Sequence, residues 1–461
     1  MIRPAPLVGA AVGCLLVGTT AAGPARAQLP DTLDVNRAVE IALGNSPALS
    51  IARSQANVAG LSRRQALTDF LPAASASMSF NRSTFTRTTY QAAVGETEVL
   101  SEPLESGSQS ASQGLNFSWT LFDARRFTNL ERAAADLRAA QRGLDDRQAS
   151  VAAAVKRQFY TALRRQEQLR LASEQVSDRQ RELGVTQRRY EIAAVSRLDV
   201  LSAESNLLRA RVDVATATAQ FEQSLTALAT LLGLTPEQGL SVHLSDTGEM
   251  PAFDPTAAEA LVREALTGDP ELLQLQARLA AASADSWTAR SRYLPIISAG
   301  FSMGRGQSFE LGSPFFQFTP DDLSSGFSLS ASWQLFDGFT RETELARAGQ
   351  MRAQARDRLF QRRLEIEQEV RATVGQIAQV SGTLELARRS AQIARQRLDM
   401  TRELYQNGTV DFTRLQQAVD QVTTAELQLL NLRFDYLIAW GDLSQYGTVA
   451  RNTVPVSARQ P

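Results

Sequence analysis

The sequence holds one cysteine, Cys14, and one histidine, His243, in 461 residues. That scarcity leaves neither a His/Cys metal cage nor a Ser-His or Cys-His catalytic apparatus easy to assemble. Charge of one sign is missing too: 48 basic against 49 acidic residues leave a net charge of -1, which excludes a nucleic-acid binder driven by bulk charge. With 27 Gly and 16 Pro the chain is not a low-complexity scaffold, and 43% hydrophobic residues exclude a disordered one. Beyond the N-terminus no run approaches the 18 or more apolar residues of a membrane helix. Carboxylate-pair chemistry is the enzyme class left open, and the acidic residues are spread along helix surfaces rather than gathered in a cleft. The expectation is a protein that is not an enzyme and carries no cofactor or metal.

What is present begins with an export signal. Arg3 is a short basic region, Leu7 to Val17 an apolar stretch, and Ala25-Arg26-Ala27 a cleavage pattern before Gln28. Removal of residues 1–27 would take Arg3 and Arg26 with it, leaving 46 basic against 49 acidic groups. Cys14 could be a lipid acceptor, but Leu15, Leu16 and Val17 continue the apolar run past it, as in the middle of a signal. A mature chain free of thiols suits an oxidising compartment.

Internal duplication is the strongest signal. Ala42-Leu43-Gly44-Asn45-Ser46-Pro47 recurs as Ala265-Leu266-Thr267-Gly268-Asp269-Pro270, and Phe70-Leu71-Pro72 as Tyr293-Leu294-Pro295, both displaced by 223 residues. Trp119-Thr120-Leu121-Phe122-Asp123 recurs as Trp333-Gln334-Leu335-Phe336-Asp337 at 214, and Arg189-Tyr190 answers Leu404-Tyr405 at 215. Two halves therefore share one plan, joined by a Gly/Pro/Thr-containing linker in which His243 is a surface residue.

Each half has two segments of period 2. Ala74, Ala76, Met78 and Phe80 alternate with Ser and Asn; so do Leu115, Phe117, Trp119 and Leu121. Ile297, Ala299, Phe301 and Met303, then Phe327, Leu329, Ala331, Trp333 and Leu335, repeat the pattern. Four strands of about ten residues, apolar on one face and Ser/Asn-rich on the other, fit a transmembrane β-barrel. The competing reading is a pair of half-buried hairpins in a soluble domain. Against it, Met and aromatic residues of an aromatic-poor chain collect on the apolar faces: Met78, Phe80, Leu115, Phe117, Trp119, Phe301, Phe327, Leu329 and Trp333 are the expected lipid-facing set. Open edges cannot end in hydrocarbon, so four strands must close with copies of themselves.

Nearly everything else has helical spacing. Asp123 to Tyr190 spans 68 residues and Asp337 to Tyr405 spans 69, neither with a proline; at about 1.5 Å per residue each extends roughly 100 Å. Ile366, Val370, Thr373, Ile377, Val380, Leu384, Ala387, Ala391, Ala394 and Leu398 follow a coiled-coil seam. Shorter helices over 34–70 and 196–232, and over 254–293 and 411–445, pair end to end along each long one. The stretches 82–114 and 305–326 read as exposed loops.

With these features in place the chain resembles the TolC-type outer-membrane efflux protein family over essentially its whole mature length. The resemblance rests on the tandem halves, the two Trp-x-Leu-Phe-Asp junctions and the tip segments Tyr190 to Val200 and Tyr405 to Leu415. It implies a mainly helical fold, a coiled-coil periplasmic barrel continued by a transmembrane β-barrel with four strands per protomer, closed by trimerisation. It also implies an outer-membrane location with a large periplasmic portion, and docking of a homotrimer onto a periplasmic adaptor (membrane fusion) protein fed by an inner-membrane pump, with no nucleic acid involved. The function that follows is passive export through a tripartite efflux or type I secretion system. The rival, from another class, is a periplasmic coiled-coil scaffold or adaptor without a channel.

In the family the gate is the periplasmic tip. Carried over by position, Asp199 and Tyr405 match a hydrogen-bonding pair, with Ser196, Gly408 and Asp411 beside them. Ala193 stands where the first tip usually has Gly, Val410 where a basic linking residue is usual, and Arg414 at a position often acidic. For Asp199, Asp411 and Ser196, helix capping is an equal alternative to gating. The expected division is a signal peptide over 1–27, a first repeat over 28–232 with its β-hairpin at 73–123, an equatorial linker over 233–253, a second repeat over 254–446 with its hairpin at 296–337, and a tail over 447–461.

Overall fold

The computed structural model describes residues 32–87, 90–93, 96–99, 104–234, 243–245, 258–310, 323–443 and 446. The signal segment, the tail and most of the linker lie outside them. The described chain is mostly helical, with one four-stranded sheet and two short two-stranded pairs.

Each half opens on two helices where the sequence pattern suggests one. Helix α1 (Val35–Asn45) stops at Ser46 and α2 (Pro47–Thr68) restarts at once. In the second half α5 (Ala258–Gly268) stops at Asp269 and α6 (Pro270–Ser291) follows. The cause is proline: it forces the preceding residue out of the helical region, and Ser46 (ψ 120°) and Asp269 (ψ 122°) are extended. Its missing N–H then costs nothing at the first position of the next helix. Asp269 completes the break by accepting from the Leu272 amide at 2.7 Å.

The long helices match their expected ends closely. Helix α3 (Ala124–Glu191) has 68 residues and begins where Asp123 accepts from the Arg125 amide at 3.0 Å. Helix α4 (Arg197–Leu231) returns beside it. Helix α7 (Thr340–Gln406), with 67 residues, is followed by α8 (Phe412–Leu443), which packs back along it and also against α3. Helices α2 and α6 both pack on α3, and α6 also packs on α7, so the two halves interleave. Along α7 the buried seam runs Ile366, Val370, Val374, Ile377, Val380, Leu384, Ala387, Ala391 and Leu398. Val374 replaces the expected Thr373, whose hydroxyl instead donates to the Glu369 carbonyl at 2.9 Å.

Among the described residues three apolar cores lie along this length. One, around Val155, Phe159, Leu228 and Phe434, is crossed by a short parallel pair, β1 (Thr32–Leu33) on β6 (His243–Leu244). The Gln166 side chain locks β6, donating to the Leu244 carbonyl at 3.0 Å and accepting from its amide at 3.1 Å. His243 is therefore part of a strand paired with Thr32 rather than of a plain linker. A second core gathers Ile366, Ile377 and Trp440, and a third, at the far end, Tyr405, Phe412 and Leu415.

The sheet is antiparallel in the order β2 (Ala73–Arg87), β5 (Leu104–Phe122), β7 (Ile296–Glu310), β8 (Leu323–Ser332). The first three have 15, 19 and 15 residues, longer than the pattern suggests. Much of 82–114 and 305–326, read as loop from Ser, Thr and Glu in the first and Pro and Asp in the second, is strand, and a further hairpin of β3 (Tyr90–Ala93) and β4 (Glu96–Val99) sits between. Ladder bonds form whatever the side chains, so a polar strand gives no alternation to read. Conversely, β8 ends at Ser332, leaving Trp333 and Leu335 beyond it. No described helix is long and apolar enough to cross a membrane.

Candidate gate at the helical tips

At the end farthest from the sheet, α3 turns into α4 and α7 turns into α8 by the same device. The Ala193 amide bonds to the Tyr190 carbonyl and the Ala194 amide to that of Arg189, both at 2.8 Å. In the second turn the Gly408 amide bonds to Tyr405 at 3.0 Å and the Thr409 amide to Leu404 at 2.9 Å. This pairing satisfies the last carbonyls of each helix and needs one left-handed residue. Gly408 supplies it at φ 77° without strain, whereas Ala193 is held at φ 59° with a Cβ present.

The helices that follow are capped by the polar residues singled out above. Ser196 accepts from the Asp199 amide at 3.2 Å, and the Asp199 carboxylate accepts from the Ser196 amide at 3.0 Å and hydroxyl at 2.9 Å, a reciprocal capping box. Asp411 accepts from the Arg414 amide at 2.9 Å. All three polar side chains are thus engaged at helix starts.

Tyr405 goes elsewhere. It is 2% exposed, and its hydroxyl lies 3.2 Å from Thr186 Oγ1 on α3. The Thr186 hydroxyl donates to the Glu182 carbonyl at 2.9 Å, so Tyr405 is the donor of the pair. The structure does not join Asp199 to Tyr405, because a residue three positions into a helix reaches its own cap more readily than a phenol buried beneath the facing turn.

Two residues that sequence reasoning passed over complete the site. Arg189, noted only as a repeat marker, lays its guanidinium 4.5 Å from the centre of the Tyr405 ring and donates from Nη1 to the Tyr405 carbonyl. Glu182, 8% exposed, accepts from Arg179 at 3.1 Å, and Arg179 reaches on to Asp420 of α8 at 2.8 Å. Burial pushes the Glu182 carboxyl above its ordinary value against the opposing pull of Arg179 and Arg402. A cavity of about 160 Å³ opens here between Glu182, Arg402, Tyr405 and Leu415. Arg189 was not legible because its partner lies 216 residues away in the chain, and Glu182 because its local pair with Arg179 looks like any solvated helix pair until the facing helices bury it.

At the opposite end the sheet carries one exposed apolar face. Phe117, Phe301 and Phe327 face one another across three neighbouring strands, 46%, 41% and 74% exposed. Met78, Phe80, Leu115 and Leu329 are exposed as well. Trp119 and Trp333 stand at the junctions, where each indole donates to the carbonyl that closes the preceding helix: Trp119 to Phe70 at 2.9 Å and Trp333 to Tyr293 at 3.1 Å. An arginine from the next helix ties each strand end, Arg126 to the Thr120 carbonyl at 2.8 Å and Arg341 to that of Gln334 at 2.9 Å. Among the described residues no cluster of His, Cys, Asp and Glu is arranged to hold a metal ion.

The model of a family described as outer membrane efflux protein matches residues 38–234 and 261–446. Protein CyaE of Bordetella pertussis is 28% identical over 345 residues, covering 72% of this chain and 67% of that protein. Among solved structures, the Campylobacter jejuni CmeC outer membrane channel superposes with a TM-score of 0.75 at 16% identity, over 89% of this chain and 85% of that one. The open state of the Neisseria gonorrhoeae MtrE outer membrane channel gives 0.71 at 20% identity, over 91% and 90%.

Proposed function

The chain belongs to the outer membrane efflux protein family, and from that premise we propose that it is the exit duct of a tripartite efflux or type I secretion machine. Three copies close a β-barrel in the outer membrane and continue as a helical tunnel through the periplasm. The tips dock on a periplasmic adaptor fed by an inner-membrane pump, which supplies the energy, while the duct supplies a sealed passive path. In this division residues 1–27 are the export signal, 28–232 and 254–446 the two repeats, 233–253 the equatorial linker and 447–461 a tail.

One observation carries the reading. The four-stranded sheet is open at both β2 and β8 and presents an uncovered row of phenylalanines. Unpaired backbone in hydrocarbon costs several kcal/mol per group, so such a sheet enters a bilayer only when copies close the ring. Two unpartnered stripes support the same closure lower down: Leu201, Leu208 and Val212 on α4, and Leu386, Ile393 and Met400 on α7 are exposed at coiled-coil spacing. The reading is tested by native mass measurement and planar-bilayer recording of protein extracted from outer membranes. A trimer with steady conductance is expected. A monomer released by salt wash and silent in bilayers would make the chain a periplasmic scaffold instead.

A further inference from the structure

We infer that Arg189 is the positioning residue that holds the second tip closed, a single guanidinium on the first repeat latching the turn of the second; this rests on the duct reading above. Three contacts converge on it. Its Nη1 donates to the Tyr405 carbonyl, its guanidinium carbon lies over the Tyr405 ring 4.5 Å from the centre, and its Nη2 lies so near Gly408 that a Cβ there would approach within 3.3 Å. Gly408 therefore serves twice: it turns the chain at φ 77° and it leaves room for the guanidinium.

The electrostatics favour the same placement. Among the described residues Arg189 has no carboxylate within ion-pair distance. Its charge instead meets the negative end of a 67-residue helix, where backbone carbonyls converge. An arginine suits this task better than a lysine, since a planar group can stack and donate at once. Beneath it the Tyr405 hydroxyl is spent on Thr186, so the ring cannot swing out while the guanidinium covers it. Val410, on the turn itself, has no side-chain donor and offers no such bond. The latch thus comes from α3 rather than from the turn itself, and it ties the two halves of one protomer together at the mouth of the tunnel.

The test uses the full chain reconstituted in planar bilayers, with Arg189→Gln, Arg189→Lys and the exposed neighbour Arg188→Gln compared. Arg189→Gln should raise conductance or open probability by about twofold or more. Arg189→Lys should fall between, and Arg188→Gln should match the parent, all three at unchanged trimer yield. A second measurement reads the tip directly: spin labels on Ala194→Cys and Thr409→Cys should give a narrow distance distribution that broadens when Arg189→Gln is added. Unchanged conductance and an unchanged distribution in Arg189→Gln would overturn the latch, as would a lowered melting temperature with neither readout moved. A parent protein without conductance would instead sink the duct reading itself.

Discussion

Arg157 on α3 grips Asp442 on α8, donating from Nε at 3.1 Å and from Nη2 at 2.7 Å to one carboxylate oxygen. The next bonds keep strict antiparallel register. Seven residues on along α3, Arg164 meets Asp435 at 3.1 Å; then Gln168 meets Asn431 at 3.1 Å, and finally Arg179 meets Asp420 at 2.8 Å. Every step forward on one helix is matched by an equal step back on the other. The halves of the chain are thus aligned by a polar ladder over roughly 33 Å of helix. Each rung is weak, about 0.2–1 kcal/mol for an exposed pair, but a ladder specifies register where an apolar seam would allow slippage. Arg164→Glu should lower stability in detergent by about 1 kcal/mol, and adding Asp435→Arg should restore most of it. Melting of the single and double variants checks this; a double variant no better than the single one would remove the ladder from the alignment of the halves.

Ala193 bears the strain of a left-handed turn that Gly408 avoids. Ala193→Gly should be neutral to stabilising, by up to about 1 kcal/mol, whereas Gly408→Ala should cost about 1–2 kcal/mol. Denaturant melts of both variants decide the matter. Equal effects in the two turns would mean that the left-handed geometry carries no cost here.

Asp199 is bonded as a helix cap. Asp199→Ala should lower stability by about 1 kcal/mol and leave single-channel conductance unchanged. Asp411→Ala should do the same through the loss of its bond to the Arg414 amide. An increase in conductance from Asp199→Ala without loss of stability would return the residue to the gate.

Glu182 makes stability depend on pH with a definite sign. Its folded-state carboxyl is raised above the ordinary 4.5 by burial, so the folded protein holds this proton more tightly than the unfolded chain does. The group therefore favours folding most below pH 4.5 and less as pH climbs through the raised value. Glu182→Gln should be at least as stable as the parent at pH 7, and the difference should shrink on acidification toward pH 4.5. A gap that widened with acid would show that the Arg179 pair outweighs the burial.

Phe301 and Ser330 separate the two faces of the sheet. Phe301→Arg should impair assembly by about 2–4 kcal/mol near the bilayer midplane, and Ser330→Arg should assemble normally while altering ion selectivity. Equal damage from both would mean that the strands do not divide lipid from lumen.

The sequence made periodic and capped elements legible. Asp123 marks the start of α3 because a short acceptor before a helix bonds its free amides, and the end near Tyr190 came from the repeat. The breaks at Ser46-Pro47 and Asp269-Pro270 were in view as repeat markers, yet apolar periodicity continues across both and hid them. Polar strand ends in β2, β5 and β7 were hidden for the opposite reason, since hydrogen-bonded ladders leave no trace in Ser, Thr and Gly. At the tips the caps could be read from local spacing. The Arg189–Tyr405 contact could not, because nothing near either residue in the chain announces the other.

The open edges at β2 and β8 set how a pore of this kind comes into being. A lone protomer offers the membrane two rows of unsatisfied backbone groups, and so does a pair. In the duct reading proposed above, each has more to lose in lipid than in water, so insertion would wait for the subunit that closes the ring. On that reading the cell would never meet a half-built hole: its outer barrier would stay intact up to the moment of ring closure, and protein too scarce to close the ring would give no leak.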